Sequence, residues 1–174
     1  MNTNTFIHPT ASIHPTAVIH ANVTIEKNVR IGAYCIIGAP AERSGQWENK
    51  GVTINEGAIL HGLNTVDAGT ERRTQIGKNT QLLKQAHVGH DALIGNNCVL
   101  SCGSRIGGHA TINHYCNIGL NASVHQWLEV PVGVMLGMNS CLTKKADCKK
   151  YEIWAGVPAR YIKENKVLKQ RLGI

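Results

Sequence analysis

The feature that most constrains this chain is a six-residue period. From Ile76 to Asp147 it runs without an insertion, and each block opens on an aliphatic residue: Ile76, Leu82, Val88, Ile94, Leu100, Ile106, Ile112, Ile118, Val124, Val130, Leu136 and Leu142. The fifth place of the block is small or thin, as at Ala86, Ala92, Cys98, Ser104, Ala110, Cys116 and Ala122, and Gly often follows the aliphatic residue, as at Gly77, Gly95, Gly107 and Gly119. An amphipathic helix repeats at about 3.6 residues and a half-buried strand at about two, so a sustained six fits neither. It fits a parallel β-helix, in which each block is a short strand plus a corner and three blocks close one triangular coil. The fold class expected is all-β.

The same period begins at Ile7 and passes through Ile13, Ile19, Ile25, Ile31 and Ile37. It breaks at Gly38–Gly51 (GAPAERSGQWENKG), resumes at Ile54 and Leu60, and breaks again at Asp67–Arg73 (DAGTERR). Gly, Pro, Ser and charge together mark loops expelled from the coil. After Asp147 the pattern ends. Tyr151–Pro158 reads as a closing strand and turn, and Ala159–Leu172 favours a helix that caps the open end, where apolar rungs and strand edges would otherwise be exposed. The expected organisation is a β-helix domain over 1–150, of roughly six or seven coils, with loops at 38–51 and 67–73. A closing strand and C-terminal helical tail follow over 151–174.

At 174 residues the chain is one domain by length, and its single Phe suits a narrow interior filled by aliphatic and small residues. The formal charge of +7 favours anionic partners such as phosphates or acyl-carrier proteins. No basic motif interleaved with aromatics is present, which argues against nucleic acid. The start, MNTNTFIHPT, lacks the regions of a signal peptide, and no stretch approaches the ~18 apolar residues of a membrane span, so the cytoplasm is the default location. Cys35, Cys98 and Cys116 occupy inward places and read as reduced core residues; Cys102, Cys141 and Cys148 show no CxxC spacing, and no metal is expected. His8, His14 and His20, six apart, fall on three different sides of the triangle and read as exposed corner residues.

Three blocks of six give 18 residues per coil, so the remainder on division by 18 places a residue around the cross-section. His87 gives 15, His90 gives 0, His109 gives 1 and His125 gives 17, with Gln126 at 0 and Asp91 at 1; His114, at 6, lies elsewhere. Four histidines therefore project from one edge in successive coils. An imidazole, with an ordinary pKa of about 6.5, is a natural general base, and Asp91 or a backbone carbonyl can fix its tautomer. No Gly-x-Ser-x-Gly elbow or activated Cys is present, which favours direct attack of an acceptor on a thioester over a covalent acyl-enzyme. A backbone N–H at Gly107 or Gly108 can serve as the oxyanion donor. Arg72 and Arg73 can clamp phosphate or carboxylate, or form a solvated basic loop.

The run LLKQAHVGHDALIGNNCVLSCGSRIGGH, followed by VHQW at Val124–Trp127, closely resembles the UDP-N-acetylglucosamine O-acyltransferases of lipid A synthesis, and the likeness extends from Ile7 to about Asn165. The resemblance implies a left-handed parallel β-helix of hexapeptide repeats and a homotrimer with sites between subunits. It matches His90 to the family's general base, Asp91 to its acidic neighbour and Gly108 to the oxyanion-binding amide. His87, His109, His125 and Gln126 match positions lining the donor and nucleotide-sugar site. The chain departs from the family in lacking its long C-terminal helical domain and in its Ala41–Lys50 loop. The HRGT-type loop start of that family is here Asn64-Thr65-Val66-Asp67. The ending SCLTKKADCKKYEIWAGVPARYIK is similar instead to acetyl-CoA-dependent hexapeptide acetyltransferases, which implies acetyl-CoA as the donor, with acyl-carrier protein next. Lys144 and Lys145 then contact phosphate or pantetheine.

The function expected is transfer of an acyl group, acetyl first, from a thioester to a hydroxyl or amine of a nucleotide-linked sugar, with no bound cofactor. Two alternatives stand beside it. GHATINHYCNIG, over Gly108–Gly119, resembles the GHxxxxHxCxIG of γ-type carbonic anhydrases, which hold zinc by three imidazoles; Asp91 and Arg73 stand 18 and 36 residues before His109, where the third imidazole is needed. A non-catalytic β-helix scaffold is the other.

Overall fold

The structure, a computed structural model, describes residues 4–42 and 44–174. Short strands repeat in threes and build three parallel sheets. One sheet of seven strands begins at Phe6–Ile7, a second begins at Ser12–Ile13, and a third, again of seven strands, begins at Val18–Ile19. Register within each is direct: Gln75 pairs with Leu93, Leu93 with Thr111, and Thr111 with Glu129. The second sheet has nine strands because Glu152–Gly156 pairs in parallel with Met135–Leu136, opening an eighth turn, and Ala159–Glu164 pairs in turn with Glu152–Gly156. The parallel β-helix read from the period is the fold.

The period works because the aliphatic place points inward. Ile25, Ile54, Ile76, Leu82, Leu100, Ile106, Ile112 and Leu136 are fully buried, and each such side chain contributes roughly 1.5–3 kcal/mol on leaving water. The small fifth place, for example Ala86, Cys98, Ala110 and Ala122, is buried at the turn, where a larger residue would collide with the next rung. Cys35, Cys98 and Cys116 are buried free thiols, as read from their inward places, and Cys102, Cys141 and Cys148 are free as well. In the corners the third residue has positive φ, and Asn takes that place at Asn79, Asn97, Asn121 and Asn139. Asn tolerates the left-handed region better than most side chains.

The tail departs from expectation. Ala159–Glu164 is a strand, not the start of a helix, and it runs antiparallel to Glu152–Gly156 across the turn at the cis Val157–Pro158 bond. Helix propensity lost to pairing: the strand 152–156 would otherwise end the sheet with an open edge. The helix is confined to Lys166–Leu172, capped by the Asn165 side chain, which accepts the Leu168 N–H, and ended by Gly173 at φ 72°. Leu168 packs beside Gly133 and Tyr151, on the flank of the coil. No helix among the described residues is long and apolar enough to cross a membrane.

Candidate active site

The third sheet hands over to the first through a column of stacked corners. Strands His87–Val88, Arg105–Ile106, Ser123–Val124 and Cys141–Leu142 pair in register, so the corners 89–92, 107–110, 125–128 and 143–146 lie one above the next. Both insertions leave from this same edge. One follows Ile36–Ala39 and the other follows Thr65–Asp67, and the two meet in an antiparallel bridge between Gly51 and Gly69.

Asp91 is the hub of the column. Its carboxylate is fully buried and accepts five hydrogen bonds. Oδ1 takes the N–H groups of Thr70 at 3.0 Å, Glu71 at 2.8 Å and Arg72 at 2.7 Å; Oδ2 takes the Thr70 hydroxyl at 2.7 Å and faces His90 Nδ1 at 2.7 Å. Burial alone would raise this carboxyl, but the Arg72 N–H, His90, the Glu71 N–H and the Thr70 hydroxyl outweigh it and hold it far below the usual carboxylate range. The insertion at 68–73 is therefore wrapped around Asp91 by its own backbone. Arg72 completes the wrap, donating Nε to the Asp91 carbonyl at 2.6 Å and Nη2 to the His109 carbonyl at 3.0 Å.

With Asp91 accepting at Nδ1, the free lone pair of His90 is on Nε2. That atom lies over Gly108: a Cβ built there would stand 2.8 Å from it. Next along the column, the His109 ring meets His90 edge-on at 5.1 Å and stacks on Trp127 at 3.6 Å with an interplanar angle of 5°. Burial depresses the His109 pKa, with Asp91 and Glu71 opposing, which favours the neutral ring. Asp91, His109 and Trp127 occupy successive positive-φ corner places, at 61°, 60° and 66°, where Asn serves in other corners. Gln85 and Tyr115 hold the same conformation in other corners, at 64° and 59°, so the positive φ belongs to the coil as a whole. Glu71, Arg72, His109, Thr111, Trp127, Leu128 and Glu129 line a cavity of about 450 Å³ beside the stack.

The strand below contributes a second group. His87 Nδ1 is 2.7 Å from the Thr65 hydroxyl, and its Nε2 is 3.8 Å from Asp67. Burial and the nearby Arg105 lower the His87 pKa, while burial and the charge of Glu42 push Asp67 up to about 6. The structure thus gathers His87, His90, Asp91, Gly108, His109 and Arg72. It separates others. Arg73 is spent on the fold, donating to Asn22 Oδ1, Thr24 Oγ1, Thr53 Oγ1 and the carbonyls of Asn22, Lys50 and Val52. His125 and Gln126 are exposed in the next corner, His125 Nδ1 turned to the Gln126 carbonyl at 2.9 Å. Lys144 and Lys145 stand exposed one corner further on. His114 sits on the opposite edge, where its Nδ1 accepts the Asn96 N–H at 2.8 Å.

The ligand atoms of His90, Asp91 and His109 lie within 4.8 Å of one another, close enough to hold a cation. The chemistry of the donors fits this poorly. Asp91 has both oxygens committed, and His90 Nδ1 needs its proton for the 2.7 Å contact. An imidazole oriented by a buried carboxylate is instead a proton-transfer pair.

The profile described as bacterial transferase hexapeptide (six repeats) matches residues 4–41 and 73–108. The chain is 31% identical over 108 residues to the Helicobacter pylori (strain Shi470) acyl-[acyl-carrier-protein]–UDP-N-acetylglucosamine O-acyltransferase, a match spanning 60% of this chain and 40% of that relative. It is 33% identical over 104 residues to the enzyme of the same name from Burkholderia orbicola (strain MC0-3), covering 60% and 38%. The chain thus spans about two fifths of the length of these curated relatives. Among solved structures, the UDP-N-acetylglucosamine O-acyltransferase of Moraxella catarrhalis RH4 superposes with a TM-score of 0.74 at 25% identity, covering 97% of this chain and 78% of that one. A second UDP-N-acetylglucosamine acyltransferase superposes at 0.80 with 26% identity, over 96% and 74%. The curated relatives' names give an acyl-carrier protein as donor, so nothing in the comparisons supports the acetyl-CoA favoured on the GVPAR ending.

Several residues of this edge escape sequence reasoning. Trp127 was within reach, since its number leaves the same remainder, 1, as Asp91 and His109. Thr65 and Asp67 were not: Thr65 pairs with His87 at a spacing of 22 rather than 18, because the second insertion adds four residues.

Proposed function

We propose that this chain transfers an acyl group from a thioester, carried by an acyl-carrier protein in preference to coenzyme A, to a hydroxyl or amine of a UDP-linked sugar. The observation that carries this is the His90–Asp91 pair beneath Gly108, inside a coil similar to named acyltransferases. Asp91 keeps the proton on Nδ1, and Nε2 removes the proton of the acceptor as its oxygen or nitrogen attacks the thioester carbonyl. The developing oxyanion is received by the Gly108 N–H, which makes no backbone hydrogen bond among those of the described residues. Collapse expels the thiolate, which recovers the proton from His90. Neutral His109, backed by Trp127, walls the site and keeps charge away from the base. The working unit in this reading is a homotrimer in which Lys144 and Lys145, at the basic end of the column, meet the donor's phosphopantetheine.

The test is product formation from UDP-N-acetylglucosamine with an acylated carrier protein and, in parallel, with acetyl-CoA. Turnover with the carrier protein is expected. Turnover with acetyl-CoA alone would reverse the donor, and turnover with neither would defeat the reading.

A further inference from the structure

Asp67 is a buried carboxylate that the relay does not use. It ends the strand Thr65–Asp67, points to the outer face beside His87, and is 8% exposed. No hydrogen bond from the described residues reaches its carboxylate; the nearest partner is His87 Nε2 at 3.8 Å. Asp91, on the next coil, takes five. A carboxylate withdrawn from water and left without donors is unfavourable, and natural structures tolerate one where a ligand completes it. The position fits that role, because Asp67 lies within electrostatic reach of His90 as well as His87. The charge of Glu42 acts on the same spot, so phosphate is repelled and a group bringing N–H or O–H donors is favoured.

We propose that Asp67 binds the sugar of the acceptor, accepting a hydrogen bond from a hydroxyl or amino group next to the one acylated, and so selects the sugar. This rests on the nucleotide-sugar reading above. Asp67 acts on recognition, and His90 on the proton.

Calorimetry with two probes, UDP-N-acetylglucosamine and UDP, separates the possibilities in wild type, Asp67→Ala and Asp67→Asn. The expected result is a loss of roughly tenfold or more in affinity of Asp67→Ala for UDP-N-acetylglucosamine, partial recovery in Asp67→Asn, and unchanged affinity for UDP. The melting temperature should not fall in Asp67→Asn, because no hydrogen bond among the described residues is lost. Equal losses for both probes, no loss for either, or a melting temperature several degrees lower would overturn the assignment while leaving the nucleotide-sugar reading intact. Failure of the wild type to bind either probe would overturn that reading and this assignment with it.

Discussion

His90 Nδ1 lies 2.7 Å from Asp91 Oδ2, and Oδ1 of the same carboxylate gathers three consecutive backbone N–H groups from Thr70, Glu71 and Arg72. One buried side chain therefore fixes both the tautomer of the base and the path of the loop beside it. Site geometry and loop structure cannot be uncoupled at this residue.

Asp91→Asn should accordingly cost activity and stability together. The amide nitrogen would face donors at Thr70 and His90, and breaking a buried charged network costs about 3–5 kcal/mol. We expect turnover to fall by about 10²–10⁴-fold and the unfolding midpoint in urea to drop. Because the folded carboxyl is depressed, its contribution is present above the ordinary carboxylate pKa of about 3.9 and is lost as pH falls further. The variant should thus lose the acid limb of the wild-type stability profile. A variant as stable as wild type at neutral pH would contradict the hub role.

Gly108→Ala separates geometry from chemistry. The added Cβ would stand 2.8 Å from His90 Nε2 and 3.0 Å from Cε1, so the ring must turn. Displacement of a base by about 1 Å lowers turnover by about 10²-fold. Melting should change little. Retention of full turnover would mean that His90 works from another rotamer.

Arg73→Ala should behave as a stability variant. Its guanidinium ties Asn22, Thr24, Lys50, Val52 and Thr53 together at the base of the first insertion. Leaving those acceptors unpaired is expected to cost about 2 kcal/mol or more, read by denaturant unfolding. Substrate affinities should hold in the folded fraction.

Asp67 supplies a pH dependence of opposite sign. Burial and Glu42 raise its folded pKa to about 6, against a small lowering by His90. A raised carboxyl contributes stability below its unfolded pKa and loses it as pH rises through about 6. Among the described residues, His87, Glu42 and His90 are the charged or titratable groups facing it. Asp67→Asn should therefore melt higher than wild type near neutral pH, by an amount on the order of 1–3 kcal/mol, and equally near pH 4. A lower melting temperature at neutral pH would show that the His87 contact at 3.8 Å acts as a stabilising ion pair.

The coil itself was legible because every inward place repeats Ile, Leu or Val at a fixed spacing, and the histidine edge followed from the same arithmetic. What escaped had physical causes. The insertion shifted Asp67 and Thr65 out of phase, and the Thr70–Arg72 wrap is made by backbone N–H groups, which carry no side-chain signature. Arg73 read as a ligand clamp because Asn22, Thr24 and Thr53, its partners, lie 20 or more residues away. Ala159–Glu164 read as helix because the strand edge it covers exists only in the folded coil.

In the proposed reaction, His90 removes the acceptor's proton. His90 is only partly buried and, among the described residues, its side chain bonds to Asp91 alone, so His90→Ala should fold and assemble as wild type does. The deciding measurement is kcat for His90→Ala with UDP-N-acetylglucosamine and an acylated carrier protein, in a preparation whose melting curve and oligomeric state match wild type. A fall of about 10²–10⁴-fold is predicted; turnover within about threefold of wild type would contradict the account, because the proton would then leave by another group.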